Sequence, residues 1–169
     1  VALLRRARQL HALDLGPTAR FPARAGTFFL AAMGNASLAA AQPHEALQLF
    51  VQARRAAAPL PPSDPAHGCI ACCLGAACFE LRHFALAAAL FGRALCARSA
   101  GSDCHVLDVA LALHNCAASV DCRGARSDAF VLFRRAETLM RSAVEPSHPR
   151  MEVLLGNMRR QHAVSYHQS

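Results

Sequence analysis

The sequence predicts an all-α fold built from stacked two-helix units, and three observations support this. Alanine supplies much of a 54% hydrophobic fraction, whereas aromatic residues make up 6%, with no Trp and a single Tyr, Tyr166. That composition favours helices that approach closely and leaves little for strands to be made from. The pattern Ala-x3-Phe-x2-Ala occurs at Ala46, Phe50 and Ala53, again at Ala87, Phe91 and Ala94, and again at Ala129, Phe133 and Ala136, with successive copies 41 and 42 residues apart. Breaks rich in Pro, Ser and Asp fall between the copies.

The elements follow in order. Residues 2–13 read as a helix with Leu3, Leu4, Ala7 and Leu10 apolar, the second helix of a preceding unit, and Arg20 to Gly26 as a linker. Residues 1–25 are therefore set apart from a repeat array at 26–169. Within the array each Phe triplet lies on one face of a helix, because positions i, i+4 and i+7 line up. Thirteen residues before each leading Ala stand Met33, Leu74 and Cys116, each followed by a small residue: Gly34, Gly75 and Ala117. Small residues there let the facing helix come close enough for the Phe to fill the space between. The pairs form hairpins at about 26–58, 64–99 and 103–143, with turns near Gln42-Pro43, Arg82-His83 and Arg123-Gly124. After the breaker run Pro59 to Pro62, Asp64 caps a helix with Pro65 in its first turn. Ser102 and Asp103 cap the next unit, and Ser147 caps a lone terminal helix at about 148–165. A hairpin leaves one apolar face for the next to bury, and an array closes on a capping helix.

Composition bounds the chemistry. The formal charge is +7, and all 18 basic residues are arginine, scattered from Arg5 to Arg160. Alongside so much alanine, this bias reads most simply as GC-rich coding. The functional alternative is a surface for phosphate or carboxylate groups. Eight cysteines, Cys69, Cys72, Cys73, Cys78, Cys96, Cys104, Cys116 and Cys122, sit within helical patterns rather than loops, which indicates a reducing compartment. No apolar run is long enough for a membrane span, and no charged-then-apolar leader opens the chain. A start at Val1 reads as a fragment of a longer protein.

These residues resemble the tetratricopeptide repeat: Leu-Gly in the first helix, then Ala, Phe and Ala in the second, at matching offsets. The 42-residue period is similar to the long-helix variety found in kinesin light chains. There the linker often reads His-Pro before a helix containing Asn-Leu-Ala; here His148 and Pro149 precede a helix with Asn157 and Met158, and Asn115, Cys116 and Ala117 stand in the equivalent place. The resemblance covers about residues 22–165. It departs from the family at Ser37, Cys78 and Val120, where an aromatic is usual. It implies a right-handed α-α superhelix of three hairpins plus a C-terminal capping helix, with the first helix of each unit lining a concave groove. The groove positions it implies are Phe28, Asn35 and Leu38 in the first unit. The second unit supplies Cys69, Cys72, Cys73, Ala76, Phe79 and Glu80; the third supplies Leu111, His114, Asn115, Ala118, Asp121 and Cys122; the cap supplies Asn157 and Arg160. The expected partner-binding residues are Asn35, Leu38, Phe79, Glu80, His114, Asn115, Asp121, Asn157 and Arg160. Asn115 and Asn157 match the family's groove asparagines. Their amides can donate and accept along a peptide backbone, or instead bond the neighbouring helix.

Other chemistry is poorly supported. Cys69, Cys72, Cys73 and Cys78 contain a C-x-x-C, but one helix cannot supply four tetrahedral ligands, and a zinc site would need Cys116, Cys122 or His114 from the next unit. No nucleophile pairs with a base at diagnostic spacing, and there is no glycine-rich phosphate loop. The reading is thus a non-catalytic scaffold or adaptor without metal or cofactor, holding a peptide or helix of a partner. By analogy with kinesin light chains, it would be a cytoplasmic subunit of a larger assembly, with a motor, cytoskeletal or ciliary setting. The alternatives are an RNA-contacting subunit of a ribonucleoprotein particle, prompted by the charge, and a helical domain trailing an enzyme.

Overall fold

The structure, a computed structural model, describes residues 22–99 and 106–166, with side chains at 22–97 and 106–159. The described residues form seven helices and no strand: α1 (Ala23–Ala39), α2 (Pro43–Ala56), α3 (Pro65–Glu80), α4 (Phe84–Ser99), α5 (Val106–Asp121), α6 (Arg126–Ala143) and α7 (Pro149–Tyr166). They pair as three hairpins, α1/α2, α3/α4 and α5/α6, followed by the single helix α7. The helix expected at 2–13 and the caps expected from Ser102 and Asp103 lie outside the described residues. The expected linker is corrected at its end: Pro22 is already the N-cap, and Ala23 to Gly26 are helical, with the Gly26 N–H donating to the Pro22 carbonyl at 3.0 Å.

The repeat triplets form the core. Phe50, Phe91 and Phe133 are all essentially buried, as are the alanines on either side of each. One cluster gathers these groups from α2, α3 and α4, and a second gathers them from α5, α6 and α7. Cys116 of α5 packs on the first cluster and Leu95 of α4 on the second, so the two interlock. The close approach explains the small residues: a Cβ at Gly34 would sit 2.7 and 2.8 Å from Phe50 Cδ1 and Cζ, and closer still to Cε1. At Ser37 and Cys78 small side chains are fully buried in place of an aromatic, and Ser37 Oγ donates to the Met33 carbonyl one turn back. Val120 is half-buried on the second cluster. The capping helix buries Met151, Leu154 and Met158 against α5 and α6.

The three hairpin turns are copies of one another. Ala41, Arg82 and Gly124, at φ 55°, 62° and 85°, each hold the left-handed conformation just past a helix end. The following N–H then reaches back to a carbonyl of the helix, from Gln42 to Ser37 at 2.9 Å, His83 to Cys78 at 2.8 Å and Ala125 to Val120 at 3.3 Å, closing a Schellman motif each time. Only the third turn has glycine, the residue that meets no Cβ penalty there. Ala41→Gly is therefore expected to stabilise the chain by about 0.5–1 kcal/mol, and Gly124→Ala to destabilise it by a similar amount, as read from urea midpoints.

Helix starts follow the sequence in one case and not in another. Asp64 Oδ1 accepts from the Ala66 N–H at 2.9 Å, with Pro65 in the first turn, and the Arg24 guanidinium lies 3.5 Å away. His67 Nε2 sits 3.1 Å from the Pro61 carbonyl and ties the proline run to α3. At α7 the expected cap shifts by one residue. His148, not Ser147, accepts the Arg150 N–H through Nδ1 at 3.2 Å, because Pro149 sets the first helical residue.

Candidate functional site

First helices of successive units touch each other, α1 on α3, α3 on α5 and α5 on α7, whereas each second helix packs mainly on its own partner and on the first helix of the next unit. The first helices therefore make the crowded, inner row of the stack. On that row a cavity of about 600 Å³ opens between α3 and α5. It gathers seven of the nine expected partner-binding residues: Leu38, Phe79, Glu80, His114, Asn115, Asp121 and Asn157. Ala76, Ala118 and Cys122, also expected in the groove, line it too. Asn35 lies elsewhere on the row, its Oδ1 accepting from the Cys73 thiol at 3.8 Å. Arg160 belongs to α7, but its side chain is outside the described residues.

The repeat geometry builds this site. Alanines at 76 and 118 keep the first helices thin, so their inner faces form a trough rather than a packed seam. Phe79 leans edge-on against Phe84, with ring centroids 5.3 Å apart, and fixes one wall. Phe91 and Phe133 reach the floor from the second helices, and Arg126 stands at the start of α6. These three were not expected here. The Phe pattern identified the rings as core, and nothing in the spacing distinguishes a buried ring from one that also floors a cavity. A second hollow of about 410 Å³, lined among others by Cys72, Leu111, Arg150 and Val153, shares His114 and Asn115 with the first. These two residues thus form a common wall, and the hollows make one trough along the inner row.

His114 is the most constrained polar side chain in the trough. It is 7% exposed, its ring stands edge-on to Phe133 with centroids 5.6 Å apart, and its Nε2 lies 3.0 Å from the Asn157 amide Nδ2. Asn157 thus bonds the neighbouring helix, one of the two roles expected for it. Nδ1 of His114 is buried without a partner among the described residues. Burial pushes the imidazole pKa down from 6.5 to about 4. The unfolded chain therefore takes up this proton near pH 6.5 while the folded chain resists it to about pH 4. Stability is full above pH 6.5 and falls as the pH drops through that window, by roughly 2–4 kcal/mol in total. Thermal melts at pH 7.5 and pH 5 should show this slope, and His114→Leu should flatten it.

Cys69, Cys72, Cys73, Cys78 and Cys116 behave as small packing groups, whereas Cys96 and Cys122 are exposed. Cys69, Cys72 and Cys116 lie against the first core cluster, and the Cys116 thiol donates to the Ala88 carbonyl at 3.7 Å. Burial pushes the Cys78 and Cys116 thiols up, and Cys122 is pushed up by burial and by Asp121, against an opposing pull from Arg82. Protonated thiols are poor nucleophiles and poor metal ligands. Among the described residues no three His, Cys, Asp or Glu side chains come together as a metal site, and no helix is long and apolar enough to cross a membrane.

No family model and no curated protein matches the chain. Solved structures do. A TPR-like protein from Chlorobium tepidum superposes with a TM-score of 0.68 at 17% identity, covering 82% of this chain and 95% of its own. A kinesin light chain protein of Podospora anserina with nearly identical TPR-like repeats gives a TM-score of 0.71 at 16% identity, covering 98% of this chain and 77% of its own. A single-substitution variant of that protein gives 0.73 at the same identity and coverage. At these identities the likeness is one of fold: an all-α, TPR-like helical solenoid.

Proposed function

We propose, from the TPR-like solenoid fold, that this chain is a non-catalytic scaffold that binds a peptide or helix of a partner protein along the inner trough. One observation carries the reading: the cavity of about 600 Å³ brings seven expected groove residues together on the inner row. Leu38, Phe79, Phe91 and Phe133 give it an apolar lining, and its polar groups are few and convergent, as peptide and helix grooves require. Asn115 serves as the main-chain contact, while Asn157 positions His114. Glu80 and Asp121 outnumber Arg126 in the lining of the same cavity, and this net negative charge weighs against RNA in the trough. The scaffold reading places the chain in a larger assembly, with the cytoskeletal setting resting on the kinesin light chain neighbour alone.

The test is a selection of peptides from a displayed library on the purified chain, followed by affinities for variants. Ala118→Trp fills the trough and should abolish binding with helicity unchanged, and Asn115→Ala should weaken it about tenfold. A selection that returns no peptide weakened by Ala118→Trp would overturn the reading.

A further inference from the structure

Charge is divided between the two rows of the stack. The second helices α2, α4 and α6 carry eight arginines against three carboxylates, whereas the first helices α1, α3 and α5 carry one arginine against three carboxylates. The outer row is therefore basic, whereas the inner row, counted with α7, carries four arginines against four carboxylates and is balanced, although the arginines are scattered along the sequence. Part of the outer charge is already used: Glu137, nearly buried, takes Arg134 at 2.9 Å and Arg141 at 2.8 Å. Arg54, Arg55, Arg93 and Arg135 are exposed and have no ion pair among the described residues. Arg93 and Arg135 occupy the same repeat position on α4 and α6, 42 residues apart. One turn before Arg135 on the same face stands Val131, 65% exposed, and two turns before Arg93 stands Leu86, 52% exposed. Large aliphatic side chains so exposed, beside guanidiniums without partners, form a ridge with two kinds of unmet demand.

We propose that this outer ridge docks an acidic segment of a partner protein that carries aliphatic residues between its carboxylates. The guanidinium fork pairs bidentately with a carboxylate, and Leu86 and Val131 offer the apolar contacts between such pairs. A protein segment fits the ridge better than a nucleic acid. The groups between the guanidiniums are aliphatic rather than the stacked rings that single strands use. The site is separate from the trough, on the opposite row, so the chain can hold two segments at once.

The test uses three fluorescein-labelled probes in anisotropy titrations at about 0.15 M salt. They are a 20-residue acidic peptide with leucines at helical spacing, an oligoglutamate of equal charge, and an oligouridylate. The leucine-bearing peptide should bind, and Arg93→Glu/Arg135→Glu should weaken it at least tenfold, while Ala118→Trp leaves it unchanged. Val131→Ser should weaken it less. The substituted groups are exposed, and circular dichroism would check that each variant keeps its helicity. Equal binding of oligoglutamate or tighter binding of oligouridylate overturns the proposal in favour of a polyanion surface. Loss of binding in Ala118→Trp overturns it by moving the peptide to the trough.

Discussion

Phe91→Ala is expected to lower the unfolding free energy by about 3–5 kcal/mol, the range for emptying a buried aromatic site. Phe91 is 1% exposed, belongs to the middle hairpin and joins α4 to α3 across the gap left by Gly75. A solenoid holds together through nearest neighbours, so a defect in the middle unit separates the first hairpin from the third and its cap. A loss of that size is a large fraction of the stability of a typical domain. Urea unfolding followed by circular dichroism should therefore show a lower midpoint and a broadened or split transition. Phe91→Leu keeps most of the volume and should recover most of the loss. An unchanged single transition for Phe91→Ala would mean that the triplet does not carry the core.

Gly34→Ala is also expected to destabilise the chain, because the added methyl runs into the Phe50 ring. Phe50 is fully buried in the first core cluster, which leaves the ring little room to swing away, and overpacking of this kind costs about 1–3 kcal/mol. Alanine's better helix propensity offsets about 1 kcal/mol of it. At Gly75 the corresponding methyl would lie 2.9 Å from Phe91 Cε1, a milder conflict, so Gly75→Ala should cost less than Gly34→Ala. The third unit already carries the methyl, at Ala117, opposite Phe133. Adding Phe50→Leu to Gly34→Ala should relieve the overlap, giving a favourable coupling energy in a double-mutant cycle. Independent, additive losses would contradict the close-approach account.

The architecture was legible in the sequence because it is repeated. A single Ala-x3-Phe-x2-Ala is weak evidence of anything, but three copies 41 and 42 residues apart fix helix faces, hairpin boundaries and the end of the array together. Asp64 could be read as a cap from its neighbour Pro65. His148 could not, since an imidazole is an uncommon cap and Ser147 is the better one by type. The trough was legible in part. Its first-helix residues follow from their repeat positions, but Phe91, Phe133 and Arg126 arrive from second helices through tertiary packing. The pairing of His114 with Asn157 was likewise hidden, because it joins two residues 43 apart whose side chains meet only when α7 docks on α5. All three turns were placed from the sequence, but Ala41 and Arg82 break the glycine rule, so only Gly124 announced the left-handed conformation.

Chemical-shift mapping decides whether the inner trough is the peptide site. A peptide selected on the Arg93→Glu/Arg135→Glu variant, which lacks the ridge, would be titrated into isotopically labelled wild-type protein. Shifts are expected to concentrate at Leu38, Phe79, His114, Asn115 and Ala118, with the outer ridge around Arg93 and Arg135 unmoved. Shifts confined to that ridge, or spread over the surface with none in the trough, would contradict that assignment.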